Sequence, residues 1–204
     1  MTQYFQVHPE NPQQRLLNQA TEMVRQGAVV VYPTDATYAV GCHIGDKGAL
    51  ERIRRLRRLD KGHQFTLVCR DLSELGLYAR VDNTSFRILK HYTPGPYTFL
   101  LPATKEVPRR LVHEKKRTIG LRVPGSPIAR QFLETLGEPL MSTSLILPDD
   151  IGLLSDMDDI RHRLEGQVDL IIDGGPCELT PTTVVDLTGP APQVIREGLG
   201  QFEA

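Results

Sequence analysis

Apolar positions recur along the chain at two spacings, and the two take turns. Leu16, Leu17, Ala20, Met23 and Val24 sit three and four apart, so residues 13–26 predict an amphipathic helix. Gly27 is placed to end it, and Asn11 or Asn18 to cap it. Upstream, the alternation at Tyr4–Val7 predicts a strand. Downstream, Ala28–Tyr32 is a run of β-branched and aromatic side chains, which reads as a buried strand, and residues 38–44 form a second extended run. Residues 47–58 return to helical spacing, with Leu50, Ile53 and Leu56 as the inner stripe. The same alternation continues. Strands are predicted at 65–69, 97–102, 118–124, 139–146 and 168–175, a helical turn from 71, and helices at 83–91, 127–137 and 158–164. Ser126, Pro127 and Gly137 bracket the 127–137 helix as N-cap, first residue and C′. Residues 182–188 and 193–198, separated by Gly189-Pro-Ala-Pro, predict a hairpin. Strands interleaved with helices, without internal repeat or linker, predict one α/β domain over residues 1–204 with a mixed, twisted sheet.

Composition narrows the class. The chain has 204 residues, enough for one sizeable core, and its 40% hydrophobic and 24% charged content is ordinary for a globular protein. A formal net charge of −1 gives no overall attraction to nucleic acid, so such affinity has to come from a local patch. No apolar stretch approaches the ~20 residues of a bilayer span, and no leader-like segment opens the chain. The protein is expected in the cytoplasm, away from membranes. Cys42, Cys69 and Cys177 are far apart and odd in number, which fits buried thiols better than disulfides or zinc ligands. The absence of Trp, with aromatics at 6%, argues against a broad base-stacking platform.

Candidate chemistry starts at residues 29–41, VVVYPTDATYAVG, where a buried strand runs into a loop bearing hydroxyls and a carboxylate. That position at a strand's carboxyl end often holds small ligands on α/β sheets. An ordinary turn stabilised by its own Thr and Asp side chains is the competing account. The 47–58 helix carries Arg52, Arg54, Arg55, Arg57 and Arg58, with Lys61 just beyond, and Glu51 is the only acid between Lys47 and Asp60. Such a cluster either faces solvent or attracts an anion, whether nucleotide phosphates or an RNA backbone. Lys105, Arg109, Arg110, Lys115, Lys116 and Arg117 make a second basic region. Arg122 interrupts an apolar strand and must pair with an acid or face a cleft. No Walker A, GxGxxG or GxSxG motif is present. What remains is a set of strand-end groups: Thr34, Thr37, Thr98, Ser142, Ser144, Thr182, Thr183, Arg122 and Arg196. Converging on one mouth, they would suit polyphosphate and carboxylate ligands, with catalysis by positioning and charge stabilisation.

Several segments resemble one family. GAVVVYPTDATYAVGC, TPGPYTFLLPA, TIGLRVPGSPIA, GEPLMSTS, DLIIDGG and TPTTVVDLT with QVIREG occur in the order of the YrdC/YciO (threonylcarbamoyl-AMP synthase) family, from about Leu16 to Gly198. LDKGHQFTLVCRDLSEL is similar to the YciO branch. The resemblance implies a single-domain fold, a twisted mixed sheet flanked by helices around a large, positively charged concave cavity. It implies synthesis of threonylcarbamoyl-AMP from L-threonine, bicarbonate and ATP, with release of pyrophosphate, for modification of a tRNA adenosine. ATP is then a substrate, accompanied by Mg2+, and no structural metal is expected. The alternative it implies is a protein of RNA maturation that binds double-stranded RNA, tRNA or rRNA through Arg52, Arg54, Arg55, Arg57, Arg58 and Lys61. Carried over residue by residue, Thr34 and Tyr38 belong at the threonine side, with Arg122 on its carboxylate and Thr182 in place of a serine. Thr118, Ser142, Ser144 and Arg196 belong around ATP.

The chain departs from the synthase pattern in three places. The K-x-R-P segment is replaced by RRLRRLDKGHQFTL, leaving Arg55, Arg57 and Lys61, together with Ser142 and Ser144, as catalytic candidates. The S-T-S-A-N motif reads Ser142-Thr143-Ser144-Leu145-Ile146 and lacks the final amide. The histidine after the P-L strand gives way to Cys69 or Arg70. Altered or weak synthase activity is the expectation.

Overall fold

The computed structural model describes residues 1–60, 62–148 and 154–203. Ten strands join in a single sheet: β1 (Gln3–Gln6), β2 (Val30–Tyr32), β3 (Ala39–His43), β4 (Thr66–Val68), β5 (Tyr97–Pro102), β6 (Thr118–Arg122), β7 (Leu140–Ser144), β8 (Leu170–Asp173), β9 (Thr183–Asp186) and β10 (Gln193–Arg196). Their spatial order is β1-β8-β2-β3-β7-β4-β6-β5-β9-β10. The pairings β1–β8, β2–β8, β4–β6 and β5–β9 are parallel and the others antiparallel, so the sheet is mixed as the sequence predicts.

Among the described residues six α-helices lie among the strands: α1 (Gln14–Arg25), α2 (Lys47–Arg57), α3 (Leu72–Tyr78), α4 (Asn83–Tyr92), α5 (Pro127–Leu136) and α6 (Met157–Leu164). Side-chain caps start most of them. Asp46, Asp71, Asp82, Ser126 and Asp156 each accept a backbone N–H of the first turn. Helix α1 differs from expectation, because Gln13 is its N-cap and makes no side-chain capping bond. Asn18 lies inside the helix, where it accepts a bond from Gln14 instead. Gly27 and Gly137 take left-handed φ values of 94° and 74° and end α1 and α5 as predicted.

Strand alternation sends successive side chains to opposite faces, and each face has its own cover. On one face Val31, Val40, Leu67, Phe99, Leu121, Met141 and Ile171 meet the inner residues of α2, α3, α4 and α6, including Ile53, Leu75, Leu89 and Ile160. On the other, Val30, Tyr32, Leu140, Leu170 and Ile172 pack under Leu17, Ala20 and Val24 of α1 and Ile128, Ala129, Phe132 and Leu133 of α5. That second cover stops at β7 and β4. Over β4, β6, β5 and β9 the same face turns polar or small and stays open: Thr66, Gly120, Arg122, Thr98, Ser142, Ser144 and Thr182 stand where a helix would otherwise need apolar partners. A site is thereby left on half of one sheet face.

Candidate functional site

A cavity of about 210 Å³ occupies that open half-face. Its floor is the alternate set of residues from β7, β4, β6, β5 and β9, and its rim comes from the loop after β2 and the segment before β4. Gly120 keeps the floor low, since a Cβ there would stand 3.3 Å from Thr66 Oγ1 and 3.5 Å from Thr98 Cγ2.

Arg122, at the end of β6, enters the cavity with its side chain only 9% exposed. It does both things a charge on an apolar strand can do. Its Nη2 donates to Asp35 Oδ1 and, at 3.2 Å, to Thr34 Oγ1. Asp35 is fixed in turn, because its Oδ2 accepts the Gly125 N–H at 2.8 Å. Thr34 is buried and ties its own loop together, donating to Thr37 O at 2.6 Å and accepting from Ala36 N–H at 3.1 Å. So the strand-end loop has the self-bonded turn and a role at the site at once. One guanidinium atom, Arg122 Nε, is buried without a partner. Such an orphaned, charged donor is costly unless a ligand or water meets it.

Opposite lie the hydroxyls. The Tyr32 hydroxyl donates to Ser142 Oγ at 2.8 Å, and Ser142 passes the bond on to Val40 O at 3.2 Å. Burial pushes the Tyr32 phenol up to about 12, so it stays a neutral donor. Thr98 and Thr182 share a 2.9 Å hydroxyl bond at the far wall, where Arg196 Nη2 donates to Thr182 O at 2.9 Å and to its Oγ1 at 3.2 Å. Arg196 owes its position to a β-bulge. Val194 opposes Val185, yet Arg196 opposes Val184, so Ile195 is the extra residue in the ladder. With regular pairing Arg196 would face away from the cavity; the bulge turns it inward. Burial lowers its pKa, though an arginine keeps its charge regardless.

At the remaining edge, Arg57 of α2 reaches β7. Its Nε donates to Ile146 O at 2.8 Å and its Nη1 to Thr143 Oγ1 at 2.6 Å. His63 Nε2 lies 3.2 Å from the same Thr143 hydroxyl, and its ring meets Phe65 edge-on. Burial, and then the neighbouring Arg57 charge, hold the imidazole below its ordinary range. A neutral histidine therefore lines the cavity.

The structure gathers Arg122, Ser142, Ser144, Thr182 and Arg196 into one lining, with Thr34 directly behind Arg122. It separates others. Tyr38 points to the opposite face, because Thr37 and Ala39 take the cavity side. Its hydroxyl donates to Gly175 O at 2.6 Å, so it supports the β8 turn and lines no part of the cavity. Thr183 is likewise turned away. Thr118 shares the face of Gly120 and Arg122 but lies beyond the cavity, beside the 105–117 segment, where its carbonyl accepts the His113 N–H at 2.9 Å. Cys69 is fully buried on the far face, and Arg70 pairs with Asp71 and Glu74.

The α2 arginines do not form the unneutralised cluster expected from their sequence. Arg52 pairs with Asp169 at 2.7 Å and Arg54 with Glu51 at 2.8 Å, while Arg57 is spent on β7. Sequence spacing hid Asp169 because it reaches α2 from β8's approach, 117 residues away. Arg52, Arg55 and Arg58 line a separate groove with His162 and Arg163, and Arg55 bonds only weakly to Glu51 O, at 3.4 Å. Of the three replacements considered for the missing lysine, Arg57 alone touches a cavity-lining residue, Thr143; Arg55 lines the separate groove, and Lys61 lies outside the described residues. Asp35, Tyr32, His63 and Thr143 are site residues that the sequence reading did not single out. Asp35 was legible as the only acid in the strand-end loop, whereas nothing in the spacing marked His63.

Comparison with known proteins agrees with the fold. The family model described as "Telomere recombination" (Sua5/YciO/YrdC) matches residues 22–198. The chain is 61% identical to the Escherichia coli K12 protein YciO over 203 residues, which is 100% of this chain and 98% of that one. It superposes on the crystal structure of E. coli YciO with a TM-score of 0.94, covering 98% of each chain. A threonylcarbamoyl-AMP synthase of Nitrosococcus oceani is 37% identical over 126 residues, 61% of this chain and 68% of that protein. The P. abyssi Sua5 structure complexed with L-threonine matches with a TM-score of 0.89 at 25% identity, over 97% of this chain and 58% of the larger one. The chain belongs to the Sua5/YciO/YrdC family.

Proposed function

We propose that this family member is a threonylcarbamoyl-AMP synthase-like nucleotidyltransferase, binding an amino acid by its carboxylate on Arg122 with a nucleotide beside it. The observation that carries the reading is Arg122 itself: a nearly buried guanidinium, anchored on one side by Asp35 and Thr34, with Nε left unpartnered. A carboxylate suits that fork. The names of synthase relatives support the choice of reaction.

The reaction makes plain demands. The threonine amine adds to the bicarbonate carbon and water leaves. A carbamate oxygen then bonds to the α-phosphorus of ATP as the bond to pyrophosphate breaks. Charge grows on phosphate oxygens, and Arg196, Arg57 and the hydroxyls of Ser142, Ser144 and Thr182 are the groups to meet it. Among the described residues no group of three His, Cys, Asp or Glu is arranged to hold a metal. Mg2+ would then arrive on the triphosphate. Arg57 is held by two protein bonds and spreads its charge over a plane, so it replaces a lysine's mobile point charge imperfectly. Activity below that of synthases bearing the lysine is the consequence.

Pyrophosphate release from ATP, bicarbonate and threonine tests the proposal. Release should require all three and fall at least tenfold in Arg122→Ala. If release does not exceed that variant's with threonine or any other amino acid, the reading fails. A second reading, duplex RNA along α2, rests on the groove shared by Arg52, Arg55, Arg58, His162 and Arg163. It requires RNA affinity that falls with salt and weakens on charge reversal at Arg55.

A further inference from the structure

The main cavity is small for the ligands just proposed. At about 210 Å³ it lies below the ~300–1,000 Å³ common for ligand sites. It has a neighbour. A second cavity of about 530 Å³ shares His63 and Gln64 with it and is otherwise built from Gly62 and the segment between β5 and β6, with Arg109, Arg110, His113 and Lys115 in its wall.

Three features make this annexe receptive to anions. First, among the described residues neither Arg109, Arg110 nor Lys115 is ion-paired, in contrast to Arg52 and Arg54 on α2. Among the described residues Glu114 is the only carboxylate in the wall. Second, the cations are held in place. Arg110 Nη2 donates to Ile44 O at 3.1 Å, and Val107 and Leu111 bury the segment's apolar side against the core. Third, His113 Nδ1 accepts the N–H groups of Lys115 and Lys116, at 3.2 and 3.1 Å, which leaves Nε2 as the ring's donor. The His113 N–H bond to Thr118 O fastens the annexe to the start of β6, two residues from the cavity floor.

We infer that the annexe walled by Arg109, Arg110, His113 and Lys115 takes the polyphosphate end of a nucleotide whose reacting end lies in the main cavity across His63 and Gln64. The inference rests on the nucleotide reading above and adds a phosphate subsite that the strand-end residues do not supply.

The test uses the full chain and the double variant R109A/K115A. Both side chains are exposed, and Arg110 is left intact because it anchors the segment. Affinities for ATP, AMP, threonine and inorganic tripolyphosphate are measured by calorimetry. In the variant, ATP and tripolyphosphate should weaken at least tenfold, while AMP and threonine stay within twofold. Unchanged ATP affinity, or AMP weakened as much as ATP, overturns the inference. Tripolyphosphate binding to the wild type that is lost in the variant, with no binding of ATP or AMP to either, refutes the nucleotide reading and retains the phosphate site. A duplex RNA that binds the wild type and not the variant, with no tripolyphosphate binding, reassigns the cations to a nucleic-acid backbone and overturns the inference.

Discussion

Arg122 carries a structural role and, in the function proposed above, a binding role on different atoms of one side chain, and substitutions separate them. Arg122→Ala leaves the Asp35 carboxylate, 17% exposed, without its cation. Removing one partner of a buried pair costs ~3–5 kcal/mol, so the melting temperature should drop by about 10 °C. Arg122→Lys keeps a charge near Asp35 but loses the planar fork. It should melt within a few degrees of wild type and bind threonine at least tenfold more weakly by calorimetry. His63 gives a pH signature. Its imidazole is held below the usual range, so the folded protein protonates it less readily than the unfolded chain, whose histidines titrate near pH ~6.5. Stability should therefore decline as pH falls below ~6.5 and stop declining once the folded imidazole is also protonated. His63→Gln should lose less stability than wild type between pH 7.5 and 5.5 in thermal melts; an equal loss would show that the burial of His63 does not matter. At this scale the sequence showed which residues bear chemistry but not which way they face. Thr34 and Arg122 were marked by type and place. Tyr38, which the resemblance put at the threonine side, faces the core, one step of strand alternation from the cavity.

Helix α2 is the element where sequence and structure differ most. Its inner stripe was legible from spacing, and Leu50 and Ile53 are buried as that spacing implies. The fate of its arginines was not, because their partners arrive from elsewhere: Asp169 before β8, and Thr143 and Ile146 on and after β7. Long-range pairs of this kind leave no local pattern. Arg52 holds Asp169, which also accepts the Val29 N–H at 2.7 Å. Burial alone would raise the Asp169 pKa, but these bonds bring it below the usual carboxylate range. The stabilisation is present above the unfolded pKa of ~3.9 and is lost as pH falls through the lower folded value. Both groups are more than one-third exposed, at 39% and 35%, so solvent screens the pair and about 1 kcal/mol is the most to expect. Asp169→Asn should lower the melting temperature by a few degrees at pH 7, with the difference vanishing toward pH 3. Helix α5 is governed instead by packing. Phe132 is fully buried against Tyr32, 6.0 Å between ring centroids, and Phe132→Ala should cost ~3–5 kcal/mol, read by urea denaturation.

For the whole molecule, the governing fact is an incomplete layer. Alternating strands and helices announced an α/β sheet, and the mixed pairing followed from the closing hairpin and the polar turns. What no periodicity announced was that α1 and α5 would cover only half of one face. Thr66 and Gly120 read individually as ordinary strand residues, and only the face they share with Thr98 and Ser142 shows the absence of a roof. Filling that space should separate binding from folding. Gly120→Val places methyl groups among Thr66, Thr98 and Leu100, and it should abolish stabilisation by ATP and threonine while shifting the unliganded melt by only a few degrees. In the wild type, ATP at ~100 times its dissociation constant should add about 2.7 kcal/mol of stability. Among the described residues no helix is long and apolar enough to cross a membrane.

The bulge at Ile195 bears on how this edge of the sheet tolerates change in length. Val194 and Arg196 already oppose consecutive residues of β9, so the residue between them is a spare count in the register. Removing it would give a regular ladder with the same guanidinium still directed at the cavity. The outer strand thus carries one unit of slack: a chain shorter by one residue there should retain its nucleotide affinity, whereas one longer by one residue should turn the charge outward and lose it. Affinity in such length variants would follow whether the arginine stays in register with Val184 rather than side-chain chemistry.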